Sequence, residues 1–280
     1  MNRISACLIL SLAVLLSVQA AFADPGNGSH VSGTVIPADD LNLNLPDNSA
    51  GIDILQLLNQ SLPNGVPSSF AIIPVKSGAA FSPDATRPAP EALYLLTGSA
   101  QVSADESSVH ASAGDVVVVP KGSVMIVENV GNETLTFISV LSLPAIGEGN
   151  LTQKLYRKSS GDISPVLFGN ETDKTGFSVY RVLDTNGDVL PLSYDLAIVS
   201  LPVGHIIGSH YLKSGETGYI LEGSGTLTVG CAPQNLNPGD AFYIPPTAVQ
   251  ELTATSDLKY LLVTEPYYKP DEDYSVSSTC

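Results

Sequence analysis

Basic residues are scarce in this chain. Twelve Lys and Arg stand against 28 Asp and Glu in 280 residues, a formal net charge of −16 at pH 7. The few bases are scattered (Lys76, Arg87, Lys121, Lys154, Arg157, Lys158). Nucleic acid and anionic lipid need clustered positive charge, so both are disfavoured as partners. The acidic balance favours solubility and attracts cations. No apolar run approaches the roughly 20 residues of a membrane span, so none is expected. The Gly-x-Ser-x-Gly elbow, the phosphate-binding P-loop and the HExxH zinc helix are all missing. Cysteine is rare, with three residues in all, and Cys231 has no basic activator beside it in sequence.

The first 23 residues read as a secretory signal peptide. Arg3 supplies the positive start, 8–18 a short apolar core, and Ala21-Phe22-Ala23 the small-residue cleavage pattern. A secreted, extracellular protein is therefore expected. Cys7 leaves with the signal; Cys231 and Cys280 remain in an oxidising compartment, where a disulfide between them is the natural pairing and two free thiols the alternative. Five sequons, at Asn27, Asn59, Asn132, Asn150 and Asn170, are glycosylation candidates in a host that modifies them.

An internal repeat sets the architecture. EALYLLTGSA begins at Glu91 and ETGYILEGSG at Glu216; GDVVVVP begins at Gly114 and GDAFYIP at Gly239. Both pairs are offset by 125 residues, and in each copy the Glu precedes the Gly-Asp pair by 23. Two motifs that keep their mutual spacing indicate a duplication. Short apolar runs at 71–75, 92–96, 116–119 and 135–140, and at 197–201, 219–221, 226–229, 241–244 and 260–263, read as strands punctuated by Gly, Pro, Asn and Asp. Many short strands of this kind argue for a sandwich or small barrel. Only 52–60 carries a helical pattern, through Ile52, Leu55, Leu57 and Leu58.

At these residues the chain resembles the cupin superfamily. The first family motif, Gly-x5-His-x-His-x3–4-Glu-x6-Gly, is matched in the second copy by Gly204, His210, Leu212, Glu216 and Gly223. The second motif, Gly-x5-Pro-x-Gly-x2-His-x3-Asn, is matched by Gly239, Pro245, Thr247 and Gln250, and in the first copy by Gly114, Pro120, Gly122, Met125 and Asn129. The resemblance spans roughly 65–272 and implies an all-β fold: two tandem double-stranded β-helix (jelly-roll) barrels, a bicupin. It divides the chain into signal peptide (1–23), lead-in (24–64), N-terminal barrel (65–145), linker and shared strands (146–195), C-terminal barrel (196–272) and tail (273–280).

In metal-bearing cupins three histidines and the glutamate can hold Mn, Fe, Ni, Cu or Zn. The first copy keeps only Glu91. Its histidine positions fall on Ala85 and Arg87, or on Asp84 and Thr86 if the loop has one extra residue, and on Met125. Arg87 could neutralise Glu91, and this barrel is read as metal-free. The second copy keeps His210 and Glu216 but has Leu212 and Gln250 at the other two positions. A residual site of His210, Glu216 and Gln250 would hold one divalent metal weakly. His205 is an accessory candidate if a bulge at Gly208 re-aims it, and Tyr219 is a second if it lines the pocket rather than packing. His30 and His110 are assigned no role, and Asp271, Glu272 and Asp273 are read as solvated. Three functions stay open: an exported binding or structural bicupin for a small polar molecule, a metal-dependent dioxygenase, decarboxylase or isomerase, and a metal-free acid–base activity of His210 and Glu216. Whether the chain is an enzyme is undecided at this level, as is monomer against homo-oligomer.

Overall fold

The computed structural model describes residues 33–38, 55–56, 69–83, 86–142, 154–185, 187–188 and 192–278. Among these residues there is no α-helix, so none is long and apolar enough to cross a membrane. Four antiparallel sheets make two barrels, each with one large and one small sheet. In the N-terminal barrel the large sheet centres on Ser69–Val75, Leu135–Leu141, Glu91–Thr97 and Asp115–Val119. Its small sheet holds Ala80–Phe81, Met125–Asn129, Ser99–Ala104 and Ser107–Ser112. In the C-terminal barrel the large sheet centres on Ala241–Ile244, Gly215–Glu222, Leu258–Glu265, Asp195–Leu201 and Phe177–Leu183. Its small sheet holds Ala232–Leu236, Gly225–Val229, Gln250–Ala254, Ile206–Leu212 and Asp273–Ser275.

The large sheets pack back to back. Successive side chains on a strand point to opposite faces. Leu93, Leu95, Val117 and Val119 therefore fill the N-terminal barrel, while Ala92, Tyr94, Val116 and Val118 meet Leu196, Ile198, Leu261 and Val263 of the other barrel. Val199, Phe242, Ile244 and Tyr260 fill the C-terminal barrel. Strands buried on both faces read as unbroken apolar runs, which explains the four consecutive valines at 116–119. Each such side chain gains about 1.5–3 kcal/mol on burial. Tyr194 crosses the interface: its hydroxyl donates to the Val140 carbonyl at 2.9 Å, and its ring is buried. Glu265 crosses it too, accepting from Ser142 Oγ and from Ser193 Oγ.

The barrels also exchange strands. Thr34–Ile36, from the lead-in, pairs with Ala241–Ile244 of the C-terminal barrel. Tyr156–Ser159, from the linker, pairs with Asp115–Val119 of the N-terminal barrel. The two aspartates of the repeated Gly-Asp pair anchor these additions. Asp115 accepts from the Ser112 amide at 2.8 Å and from Arg157 Nη2 at 2.7 Å. Asp240 accepts from the Asn237 amide at 2.8 Å and from the Ala38 amide at 2.7 Å. The repeat also places Gly98 and Gly223 at equivalent turns with φ of +81° and +75°. A Cβ there would lie 2.9 Å from Leu135 Cα and 1.8 Å from the Asp257 carbonyl oxygen, so both turns need glycine.

Two expectations change. Leu55–Gln56, inside the stretch given a helical pattern, is extended and pairs with Ile72 and Ala71, because an open sheet edge outweighs a weak helical periodicity; the rest of 52–60 lies outside the described residues. Asp273–Ser275, in the stretch read as a tail, is a strand paired with His210–Leu212. The signal segment, Asn27, Asn59, Asn150 and Cys280 also lie outside the described residues, and with Cys280 the pairing expected for Cys231.

Burial alone would push the Asp115 carboxyl up, but the Ser112 amide and the Arg157 guanidinium outweigh it and hold it below the usual carboxylate range. Its stabilisation is present above the ordinary carboxylate pKa and is lost as pH falls through the lower folded value. Arg157 is 44% exposed, which keeps the effect modest. We expect Asp115→Asn to cost about 1–2 kcal/mol at neutral pH, roughly 2–8 °C in Tm, with the gap to the parent protein narrowing in acid when melting is followed by circular dichroism.

Candidate functional site in the C-terminal barrel

The C-terminal barrel encloses a cavity of about 130 Å³. His210, Glu216 and Gln250 all line it. His210 and Gln250 face each other directly across neighbouring strands of the small sheet. Glu216 comes from the opposite wall, where its strand pairs with Ile244 and Thr264. A register shift between Ile207 and His210 marks a bulge, and the Gly208 carbonyl within it accepts from His210 Nδ1 at 2.8 Å. That bond uses Nδ1 as a donor and leaves Nε2 outside it.

Gln250 Nε2 donates to Glu216 Oε2, so the two side chains are bonded to each other. Burial pushes the Glu216 carboxyl above the usual range. His210 and Gln250 pull it back down, and Asp273 adds to the rise. Leu212 is buried and forms part of the same cavity wall.

One wall is built by residues that motif reasoning did not reach. Phe177, Val179, Arg181 and Leu183 alternate along one strand and all line the cavity. They belong to FSVYRVL, within the stretch assigned to linker and shared strands, where Arg181 interrupts the apolar alternation. Arg181 Nη1 is 3.1 Å from Asp184. Asp195 accepts from the Thr185 amide at 2.7 Å and the Tyr268 amide at 3.1 Å, and burial dominates to raise its carboxyl. Asp273, read from sequence as solvated, is partly buried and lines the cavity. Tyr268 donates to it at 3.1 Å, and burial together with that carboxylate pushes the phenol up to about 12.

The two accessory candidates lie elsewhere. His205 is buried outside the cavity lining. Its Nδ1 donates to the Gly176 carbonyl at 2.8 Å and its Nε2 lies 3.7 Å from Glu171. The bulge follows His205 in the chain and does not turn it inward. Tyr219 packs on the outer face of its sheet, against the core between the barrels.

In the N-terminal barrel the equivalent glutamate is neutralised. Arg87 Nη1 sits 2.8 Å from Glu91, and Ser139 Oγ donates to the other carboxyl oxygen. Met125 is fully buried among Leu93, Leu95 and Phe137. The described part of this interior is packed apolar side chain around one ion pair.

The comparisons with known proteins agree with this geometry. A cupin family model matches residues 41–167, and a cupin domain model matches 197–264. The chain carries two cupin domains in tandem and is a bicupin of the cupin superfamily. Similar solved structures include a protein described as glyoxylate-induced from Pseudomonas aeruginosa (17% identity, 87% of this chain and 93% of that one, TM-score 0.68). An oxalate decarboxylase in a formate complex from Lactobacillus farciminis is another (18%, 89% and 90%, 0.66). A third is the protein Ylba from E. coli (14%, 87% and 94%, 0.64). At these identities the likeness is one of fold. No curated protein matches the chain in sequence.

The donor set does not fit the family's transition-metal site. One imidazole and one carboxylate remain, Leu212 fills the second imidazole position, and Gln250 presents its amide nitrogen to Glu216. Among the described residues no three His, Cys, Asp or Glu side chains form a metal-holding group.

A carboxyl raised in the folded state contributes stability below its ordinary pKa and loses it as pH rises through the folded value. Glu216→Gln removes that dependence. Its Tm should gain on the parent protein as pH rises from about 4 to 8; a constant offset across the range would show that Glu216 does not titrate as its burial requires.

Proposed function

We propose that this bicupin is an exported binding protein that holds one small polar molecule in its C-terminal barrel. The observation that carries the reading is a lined cavity where the ancestral ligand positions are occupied by Leu212 and by a mutually bonded Glu216–Gln250 pair. Its volume of about 130 Å³ is close to the roughly 150 Å³ of an engineered cavity that binds benzene, so a six-membered ring is the right size. Apolar walls with a few convergent polar groups suit binding with a fixed orientation. Export is supported by the signal-like first 23 residues. It would open the exposed Asn132 and Asn170 to N-glycosylation.

A ligand-observed NMR screen of ring-sized compounds tests the reading. Hits should be lost in Ala197→Phe, which fills the cavity, and weakened in the milder Ala197→Leu. Hits that survive a folded Ala197→Phe would place binding elsewhere.

The competing reading is a metal-dependent dioxygenase, decarboxylase or isomerase of a small oxygenated metabolite or sugar. It draws on His210, whose Nε2 is free of the Gly208 bond. Elemental analysis after exposure to Mn, Fe, Ni, Cu and Zn should find far less than one metal per chain. The pair Leu212→His and Gln250→His should raise that towards one. Near one metal per chain in the parent protein, lost in His210→Ala, would favour the enzyme instead.

A further inference from the structure

The C-terminal cavity sets two aromatic pairs among aliphatic walls and carries more carboxyl groups than basic ones, and we infer that its ligand is a small organic cation, such as a ring-sized amine. The inference rests on the reading of the cavity as a binding site.

Two aromatic pairs line the space. Phe168 and Phe177 stack with centroids 5.2 Å apart and planes 12° from parallel. Phe242 and Tyr260 meet edge to face at 5.7 Å and 67°. Aromatic faces carry negative electrostatic potential and attract cations, most strongly where water is excluded. Three carboxyl groups, Asp195, Glu216 and Asp273, share the lining. The guanidinium that could oppose them, Arg181, is already 3.1 Å from Asp184. An anionic ligand would therefore meet three carboxyl groups, with one engaged guanidinium and the His210 imidazole in return. A cation meets aromatic rings and carboxyl groups together. The chain's net charge of −16 favours the approach of the same ligands. The similar structures include oxalate decarboxylase, named for an acid that is an anion in neutral solution; this lining is unsuited to such a substrate.

Calorimetry with benzylamine, benzyl alcohol and benzoate on the full chain separates charge from shape, because the three share one ring. Benzylamine should bind about tenfold tighter than benzyl alcohol, and benzoate weakest of all. The double variant Glu216→Gln with Asp273→Asn should narrow the preference for benzylamine several-fold, and raising the ionic strength should narrow it as well. Benzoate binding as well as benzylamine would overturn the inference and leave the binding site standing. Binding by none of the three would overturn the site and the inference together. Benzylamine that still binds folded Ala197→Phe is held by surface charge, and that result also overturns the inference.

Discussion

Everything in this molecule depends on the burial of two large sheets against each other. Each central strand serves two cores at once: alternate side chains fill one barrel, and those between them seal the joint between barrels. A strand in that position cannot carry a charge on either face without a partner. The exceptions are therefore informative. Glu91 and Glu216 stand at the same place in their repeats, pointing into the barrels, and each has been given a partner. Glu265 sits at the joint and takes hydrogen bonds from Ser142 and Ser193, one on each side of it.

The equivalent glutamates show how one ancestral position reached two outcomes. In the first barrel an arginine four residues upstream reaches back and pairs with Glu91, while Met125, Leu93 and Phe137 fill the space. In the second barrel no arginine takes that place. Gln250 binds Glu216 from a neighbouring strand, and the space around them stays open. Burial raises the Glu216 carboxyl because a hydrogen-bonded amide compensates a charge less fully than an ion pair does. The exchanged strands, held by Asp115 and Asp240, tie the two barrels into one body.

The large-sheet strands were legible because two-sided burial writes itself as continuous apolar sequence, as in Val116 to Val119. The small-sheet strands Ser99–Ala104, Ser107–Ser112 and Gln250–Ala254 alternate buried and less buried positions, and their runs are broken by Ser, Gln and Glu. Their signal is correspondingly faint. The trio His210, Glu216 and Gln250 was legible from motif spacing. Arg181, Asp195 and Asp273 were not, since each belongs to a strand recruited from outside the motif-bearing stretch.

The sequence by itself determined the duplication, the all-β class, the two barrels and the depleted donor set. The duplication follows from two motifs that keep a 23-residue spacing at a common offset of 125, the all-β class from the short apolar runs, and the two barrels and the depleted donor set from the resemblance to cupins. Only the tertiary structure decided that Gln250 turns its nitrogen to Glu216, that His205 and Tyr219 stay out of the cavity, and that the lead-in strand joins the far barrel. Those outcomes depend on which residues close packing brings together across some 30 to 200 positions of chain, and no local pattern encodes that.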